Sequence, residues 1–322
     1  MNTIGVYTQT TTAMGYKADL VKAFAKGVGQ LANDNWRAEL VPESEIKNGY
    51  SHVFCFNYQR TYPKKEARVG LTLRKRLIER YEPSGKIWYF DSNVLNSYEK
   101  ARQHLHNSFV RIAYGKVFPN ETDYFNDNPT PEKWEYMRNT CGIDVKPYTK
   151  TGRKIYVCCN RGEGGYSGHG VNAADWAIET AKTLRKHTDR HIVVRTHSGM
   201  GHPTAEEDIK KLYQAKQEIK DFDVHSPRNN YPNLIEEVKD SYAVVVFTSS
   251  SGAPAIIEGK ALFVTHPTGY LTPMNAGKLE DIENPNYDLD RDKFLHGLGD
   301  SHWTLHQIEK GDYFKKFLER QK

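Results

Sequence analysis

Residues 244–267 read VVVFTSSSGAPAIIEGKALFVTHP. Val244–Phe247 is an uninterrupted apolar run, the pattern of a central strand buried on both faces. It enters Thr248-Ser249-Ser250-Ser251-Gly252, and Pro254 follows where the first turn of a helix favours proline. That short helical stretch ends at Glu258-Gly259, and Ala261–Val264 begins a second apolar strand. Strand, short helix, strand is a parallel α/β unit. In open sheets of this kind ligands sit beyond the carboxyl ends of the strands. The row of hydroxyls at 248–251 therefore stands where a ligand is expected.

The same alternation extends in both directions. Toward the amino terminus the pattern predicts strands at Thr3–Tyr7, Ser51–Phe56, Lys86–Phe90 and Phe109–Tyr114. Helices are expected over Lys17–Ala32 and Leu71–Tyr81. An Asn-, Pro- and Asp-rich stretch from Pro119 to Lys150, with one helix at Pro131–Asn139, reads as a connector. The alternation restarts with strands at Lys154–Cys159, His191–Val194 and Phe222–Val224, and with helices at Asn172–Lys186, Ala205–Ile219 and Asn233–Val238. Ser301–Lys322 reads as one terminal helix. The expected fold is α/β, with two Rossmann-like domains over 1–148 and 149–300 and a cleft between them. Residues 301–322 are a helix with the option of crossing back to the first domain.

Composition sets limits. The chain has 322 residues, 38% hydrophobic and 26% charged, as in a soluble globular protein of two domains. No apolar run reaches the ~18 residues of a membrane helix, and MNTIGVYTQT lacks a signal-peptide pattern. Cys55, Cys141, Cys158 and Cys159 show no zinc spacing and read as buried reduced thiols of a cytoplasmic protein. The formal charge of +5 is uneven: residues 1–150 hold 22 Lys+Arg against 16 Asp+Glu, and the rest 23 against 24. The stretch YPKKEARVGLTLRKRLIER, Tyr62–Arg80, carries much of the excess. It is either a solvated helix face or a surface for a polyanion.

Three loops leave carboxyl strand ends in the second half. The first, NRGEGGYSGHG at 160–170, has glycines, Gly164 and Gly165 among them, that let backbone N–H groups converge on an anion, with Arg161 supplying charge. The second offers Arg195 and His197, suited to a phosphate and a leaving-group oxygen. The third is the opening stretch. Ser249, Ser250 and Ser251 face a phosphate there, and Glu258, about 10 Å further along two helical turns, reaches a sugar hydroxyl.

Together these features resemble the donor domain of GT-B glycosyltransferases. The Glu258-Gly259-Lys260-Ala261-Leu262-Phe263-Val264 turn is similar to one common in that superfamily. With the motif His302-Trp303 to Gly311, the chain looks most like phage enzymes that glycosylate hydroxymethylated pyrimidines in DNA. His202-Pro203, His266-Pro267 and the serines also resemble bacterial sialyl- and Kdo-type transferases. The resemblance implies a UDP- or CMP-linked nucleotide sugar as co-substrate, no cofactor, and a donor held by the second domain. It further implies an acceptor on the first: duplex DNA held by Lys64, Lys65, Arg68, Arg74, Lys75 and Arg76, in a host cytoplasm if phage-encoded, or alternatively a glycan. A glutamate of the retaining E-x7-E pattern would stand at position 250, where this chain has Ser250. Asp288, Asp290 and Asp292 lie in a polar loop and read as solvated surface, so no metal is expected. Asp91, ending a buried strand, is the candidate general base, with His104 and His106 behind it. A non-catalytic nucleotide- or DNA-binding protein and a sugar-nucleotide epimerase, each on the same scaffold, are the remaining alternatives.

Overall fold

The computed structural model describes residues 1–8, 16–31, 35–42, 45–56, 69–95, 98, 109–115, 128–160, 171–197, 203–226 and 234–320. The chain runs β1 (Asn2–Tyr7), α1 (Tyr16–Gly29), β2 (Trp36–Val41), β3 (His52–Phe56), α2 (Val69–Tyr81), β4 (Ile87–Ser92), β5 (Phe109–Tyr114) and α3 (Pro131–Cys141). It continues with β6 (Lys154–Cys158), α4 (Ala173–Arg185), β7 (His191–Arg195), α5 (Pro203–Ala215), β8 (Phe222–His225), α6 (Leu234–Asp240) and β9 (Ser241–Val246). The last elements are α7 (Ala253–Ile257), β10 (Ala261–Val264), α8 (Arg291–Ser301), β11 (His302–Thr304), α9 (Leu305–Glu309) and α10 (Asp312–Arg320).

These elements form two compact units. The first comprises Met1–Asn93, Glu99–Cys141 and His296–Lys322; the second comprises Val94–Tyr98 and Gly142–Leu295. In the first, six strands lie in the order β11-β5-β4-β3-β1-β2. The pairs among β1 to β4 are parallel, while β5 and β11 join antiparallel at one side. Side chains alternate across the sheet as the period of two demands. Phe54, Trp88 and Phe90 face α1, α9 and α10, whereas Val53, Cys55, Ile87 and Tyr89 face α2. Phe24 of α1 stacks on Phe54 with ring centroids 4.0 Å apart.

Two expectations change here. The terminal segment is not one helix. The Thr304 hydroxyl accepts from the Gln307 amide, and the Gln307 side chain accepts from the Thr304 amide, so a helix begins only at Leu305. The residues just before it are extended and pair with β5, and Gly311, at φ +84°, separates α9 from α10. Nor is 119–150 all connector: α3 buries Trp134, Met137 and Cys141 within the first unit.

The second unit holds a fully parallel sheet in the order β10-β9-β6-β7-β8. Every residue of β9 is buried. Ala174, Ala177 and Ala181 of α4 join Val157, Val194 and Val245 in its core; their small side chains let the helix lie close to the sheet. All four cysteines are buried and none forms a disulfide. No helix among the described residues is long and apolar enough to cross a membrane.

Candidate functional site

The strand order of the second unit creates a switch point. From β6 the chain moves to β7 and β8, then returns to build β9 and β10 on the other side. In open α/β sheets such a reversal of strand order is where ligands sit, outside the carboxyl ends of the two strands. Asn160, just past β6, donates from Nδ2 to the Thr248 hydroxyl just past β9 over 2.9 Å. The parallel register that sets Cys158 opposite Val246 brings these two side chains level.

From Thr248 the chain folds tightly. The Ser249 hydroxyl accepts from the Ser251 amide at 3.2 Å, capping the single 3-10 turn Ser250–Gly252. It also hydrogen-bonds the Ser251 hydroxyl at 2.8 Å. Gly252 packs closely: a Cβ there would stand 2.7 Å from Leu262 Cδ1 and push that side chain aside. Proline in the first turn then starts α7, whose five residues are all buried. The Cys158 thiol is hydrogen-bonded by Ser251 and lies near Arg195; burial pushes its pKa up to about 11 against the pull of the guanidinium.

Glu258 ends this helix, 7% exposed. Gly259 follows at φ +65°, and a Cβ on it would meet the Pro147 carbonyl oxygen at 2.0 Å. The segment before β6 is laced to this turn by Lys146 N–H to Ile257 O at 2.7 Å and Thr149 N–H to Gly259 O at 2.8 Å. The Tyr98 hydroxyl donates to Glu258 Oε1 at 2.8 Å. Burial first, and then that hydrogen bond, hold the phenol well above the usual tyrosine range.

At the next strand end Arg195 is 4% exposed. Its Nε donates to Glu237 Oε2, while His225 Nδ1 stands 2.6 Å from Glu237 Oε1. The guanidinium thus has a carboxylate partner inside the unit. His197 follows it by two residues and is half-buried. At the end of β10, His266 packs on Phe247 with centroids 4.6 Å apart, and burial lowers its pKa.

The structure therefore brings Ser251 and Arg195 together around Cys158, with Ser249 bonded to Ser251, Ser250 exposed and Glu258 at the far end of α7. Arg161, Gly164 and Gly165 lie outside the described residues, as do Lys64, Lys65, Arg68, His104, His106 and His202. Asp91 belongs to the other unit and sits inside β4, in register with Arg111 of β5, with Ser92 ending the strand beyond it. Arg74 is 3% exposed and turned into the first unit beside Cys55, so it is not part of a basic surface. Asp288, Asp290 and Asp292 are exposed, and Asp290 accepts from the Lys293 amide at the start of α8. Among the described residues no cluster of three or more His, Cys, Asp or Glu could hold a metal ion. The contacts of Asn160, Glu237 and Tyr98 join residues far apart in the chain. Only Asn160, sitting at a strand end, carried a positional signal.

No known family matches the chain, and no curated protein does. Solved structures do. A Thermosulfurimonas dismutans KpsC beta Kdo 2,7 transferase is 13% identical, with a TM-score of 0.50, over 98% of this chain and 100% of that one. A beta Kdo 2,4 transferase of KpsC from the same organism is 12% identical, with a TM-score of 0.48, over 91% and 89%. A Methanocaldococcus jannaschii UDP-GlcNAc 2-epimerase, solved with UDP-GlcNAc and UDP, is 8% identical, with a TM-score of 0.32, over 99% of each. The first likeness carries the fold. Two parallel-rich Rossmann-like α/β units over nearly the whole chain are the architecture of the GT-B class.

Proposed function

We propose that this protein transfers a sugar from a nucleotide sugar to an acceptor hydroxyl, and that its second unit binds the donor. The observation that carries the reading is the β6/β9 switch point. Asn160, Thr248 and the serine turn stand there, and a buried carboxylate, Glu258, ends the helix that follows. Hydroxyls and amides suit a phosphate, and a carboxylate suits a pair of sugar hydroxyls. Arg161 and the glycine loop with Gly164 and Gly165 supply further donors to the departing phosphate. His197 protonates or hydrogen-bonds the leaving oxygen, and Asp91 takes the proton from the attacking hydroxyl. Arg195 acts through its neighbours, because Glu237 already neutralises it.

A glycan is the favoured acceptor, supported by the fold likeness to a Kdo transferase. A hydroxymethylated pyrimidine in duplex DNA is the second reading, favoured by the +6 balance of residues 1–150 and by exposed Lys75 and Arg76 on α2. A target base would have to leave the stack for that reaction.

Calorimetry with UDP and CMP tests donor binding. Incubation with UDP- and CMP-sugars plus either short acidic glycans or hydroxymethylated duplex DNA tests transfer. The reading expects nucleotide binding, loss of that binding in Glu258→Gln, and transfer to one acceptor class. Sugar appearing on DNA and not on glycans selects the second reading. Absence of heat with every nucleotide and sugar nucleotide overturns both.

A further inference from the structure

We propose that the second unit carries an anion site separate from the serine turn: a cleft at the amino ends of β6 and β7 that takes a ligand bearing a phosphate group. Arg153 immediately precedes β6 and Arg190 immediately precedes β7, whereas the serine turn follows the carboxyl end of β9. The two places are therefore separated by the length of a five-residue strand, about 16 Å at the usual rise. The proposal stands whether or not the donor reading does. The cleft encloses about 730 Å³, inside the range of about 300–1,000 Å³ common to small-molecule sites. Its charged lining is Arg153, Arg185, Lys186 and Arg190 with Asp189 and Glu283.

Two of these cations build the wall. Arg185 donates from Nη1 to the Thr188 carbonyl and from Nη2 to the Arg190 carbonyl, each at 2.7 Å, which fixes the turn between α4 and β7. The Arg190 guanidinium lies 3.5 Å from the centroid of the Tyr242 ring. It holds both oxygens of Glu283 at 3.0–3.1 Å, and that pair cancels its own charge. What remains is Arg153, Arg185 and Lys186 against Asp189, three cations to one carboxylate, or an excess of two positive charges with the histidines neutral. Arg185 meets only carbonyl oxygens among the described residues. The side chains of Arg153 and Lys186 are exposed and make no hydrogen bond or ion pair with a described residue. Like charges gathered in one concavity raise the local concentration of anions. A phosphate dianion matches the excess, with both charges and three acceptor oxygens on a single group. An arginine fork and a lysine ammonium are the side chains that bind such a group.

The phosphate can belong to a free compound or to a lipid head group, and the experiment has an arm for each. Inorganic pyrophosphate is titrated by calorimetry with UDP present in excess, and sedimentation measures retention on phosphatidylcholine vesicles with and without phosphatidic acid. Three proteins are compared: wild type, an Arg153→Gln, Lys186→Gln variant, and a Lys210→Gln, Lys293→Gln variant that removes the same charge from exposed positions outside the cleft. Thermal midpoints check that all three fold. Wild type should bind at least one probe, and the cleft variant should bind it about ten-fold or more weakly, the loss expected for two partly screened charge-assisted contacts. The Lys210, Lys293 variant should stay within about two-fold of wild type, as screening predicts for distant charges. Pyrophosphate binding assigns the cleft to a free phosphate compound, and retention on phosphatidic acid vesicles alone assigns it to a lipid head group. The proposal is overturned if wild type binds neither probe, if the cleft variant binds as well as wild type, or if the two variants weaken binding equally. UDP affinity should be the same in the cleft variant and in wild type, so failure here leaves the donor reading where it was.

Discussion

Arg195 at the end of β7 and Glu237 on α6 form a buried ion pair, with the guanidinium 4% and the carboxylate 11% exposed. The two residues lie 42 positions apart. Removing one member strands the other charge away from water, at about 3–5 kcal/mol, whereas replacing both with apolar residues of similar volume is often nearly neutral. Glu237→Ala should therefore destabilise the second unit by that amount. A Glu237→Leu, Arg195→Met double variant should recover most of it in urea unfolding. An additive double variant would mean that the pair contributes little.

Gly27 and Gly29 share α1 but not their surroundings. A Cβ on Gly27 would stand 2.0 Å from the Ile308 carbonyl oxygen, while one on Gly29 meets nothing within 4 Å. Gly27 is where α1 and the terminal α9 touch backbone to backbone. Gly27→Ala should separate them and lower stability by about 2 kcal/mol or more, an overpacking penalty. Gly29→Ala should be neutral or stabilising by up to about 1 kcal/mol, because alanine loses less backbone freedom in a helix. Thermal unfolding of the two variants, with opposite signs of shift, checks the contact.

The difference between these features and the rest of the fold shows what a single chain declares about itself. Val244–Phe247 and Ala261–Val264 were readable because strands covered on both faces are continuously apolar, and β9 and β10 lie there. The sequence WRAELV carries no such run: as the edge strand β2 it is half-exposed along most of its length and lacks the apolar signal of a covered strand. The terminal segment has enough apolar residues for one helix, but the Thr304–Gln307 cap and Gly311 divide it. At the site, the serines and Glu258 were legible because local spacing places them. Tyr98 was not, since its partner lies 160 positions away. Arg195 was placed correctly at a strand end, but pairing with Glu237 is a tertiary fact that no local pattern announces.

Asn160 ties the two strand ends that define the switch point, through its 2.9 Å bond to Thr248. Asn160→Ala leaves the Thr248 hydroxyl without that donor and should lower stability by about 1–2 kcal/mol. On the donor reading it should also weaken UDP or CMP binding by about five-fold, as expected for one neutral hydrogen bond. Calorimetry and thermal unfolding on the same preparation separate the two effects. A stability loss with intact affinity would make the residue purely structural.

Acid sensitivity follows from His302 and His52. His302 is 1% exposed, with Nδ1 2.7 Å from the Leu298 carbonyl oxygen, and burial, then the Arg111 charge, lower its pKa to about 3. Burial, helped by Lys86, lowers that of His52 to about 4. Both values lie below the ordinary 6.5, so the unfolded chain binds protons before the folded one does. The stability these groups contribute is complete above about pH 6.5 and is lost as pH falls through the window down to their folded values. Each adds a slope of up to about 1.4 kcal/mol per pH unit. Urea unfolding at pH 7, 6 and 5 should show stability falling on acidification, and His302→Asn should flatten that fall by about one proton's worth. A His302→Asn variant whose stability falls with acid as steeply as the wild type's would show that His302 is not held neutral in the folded first unit.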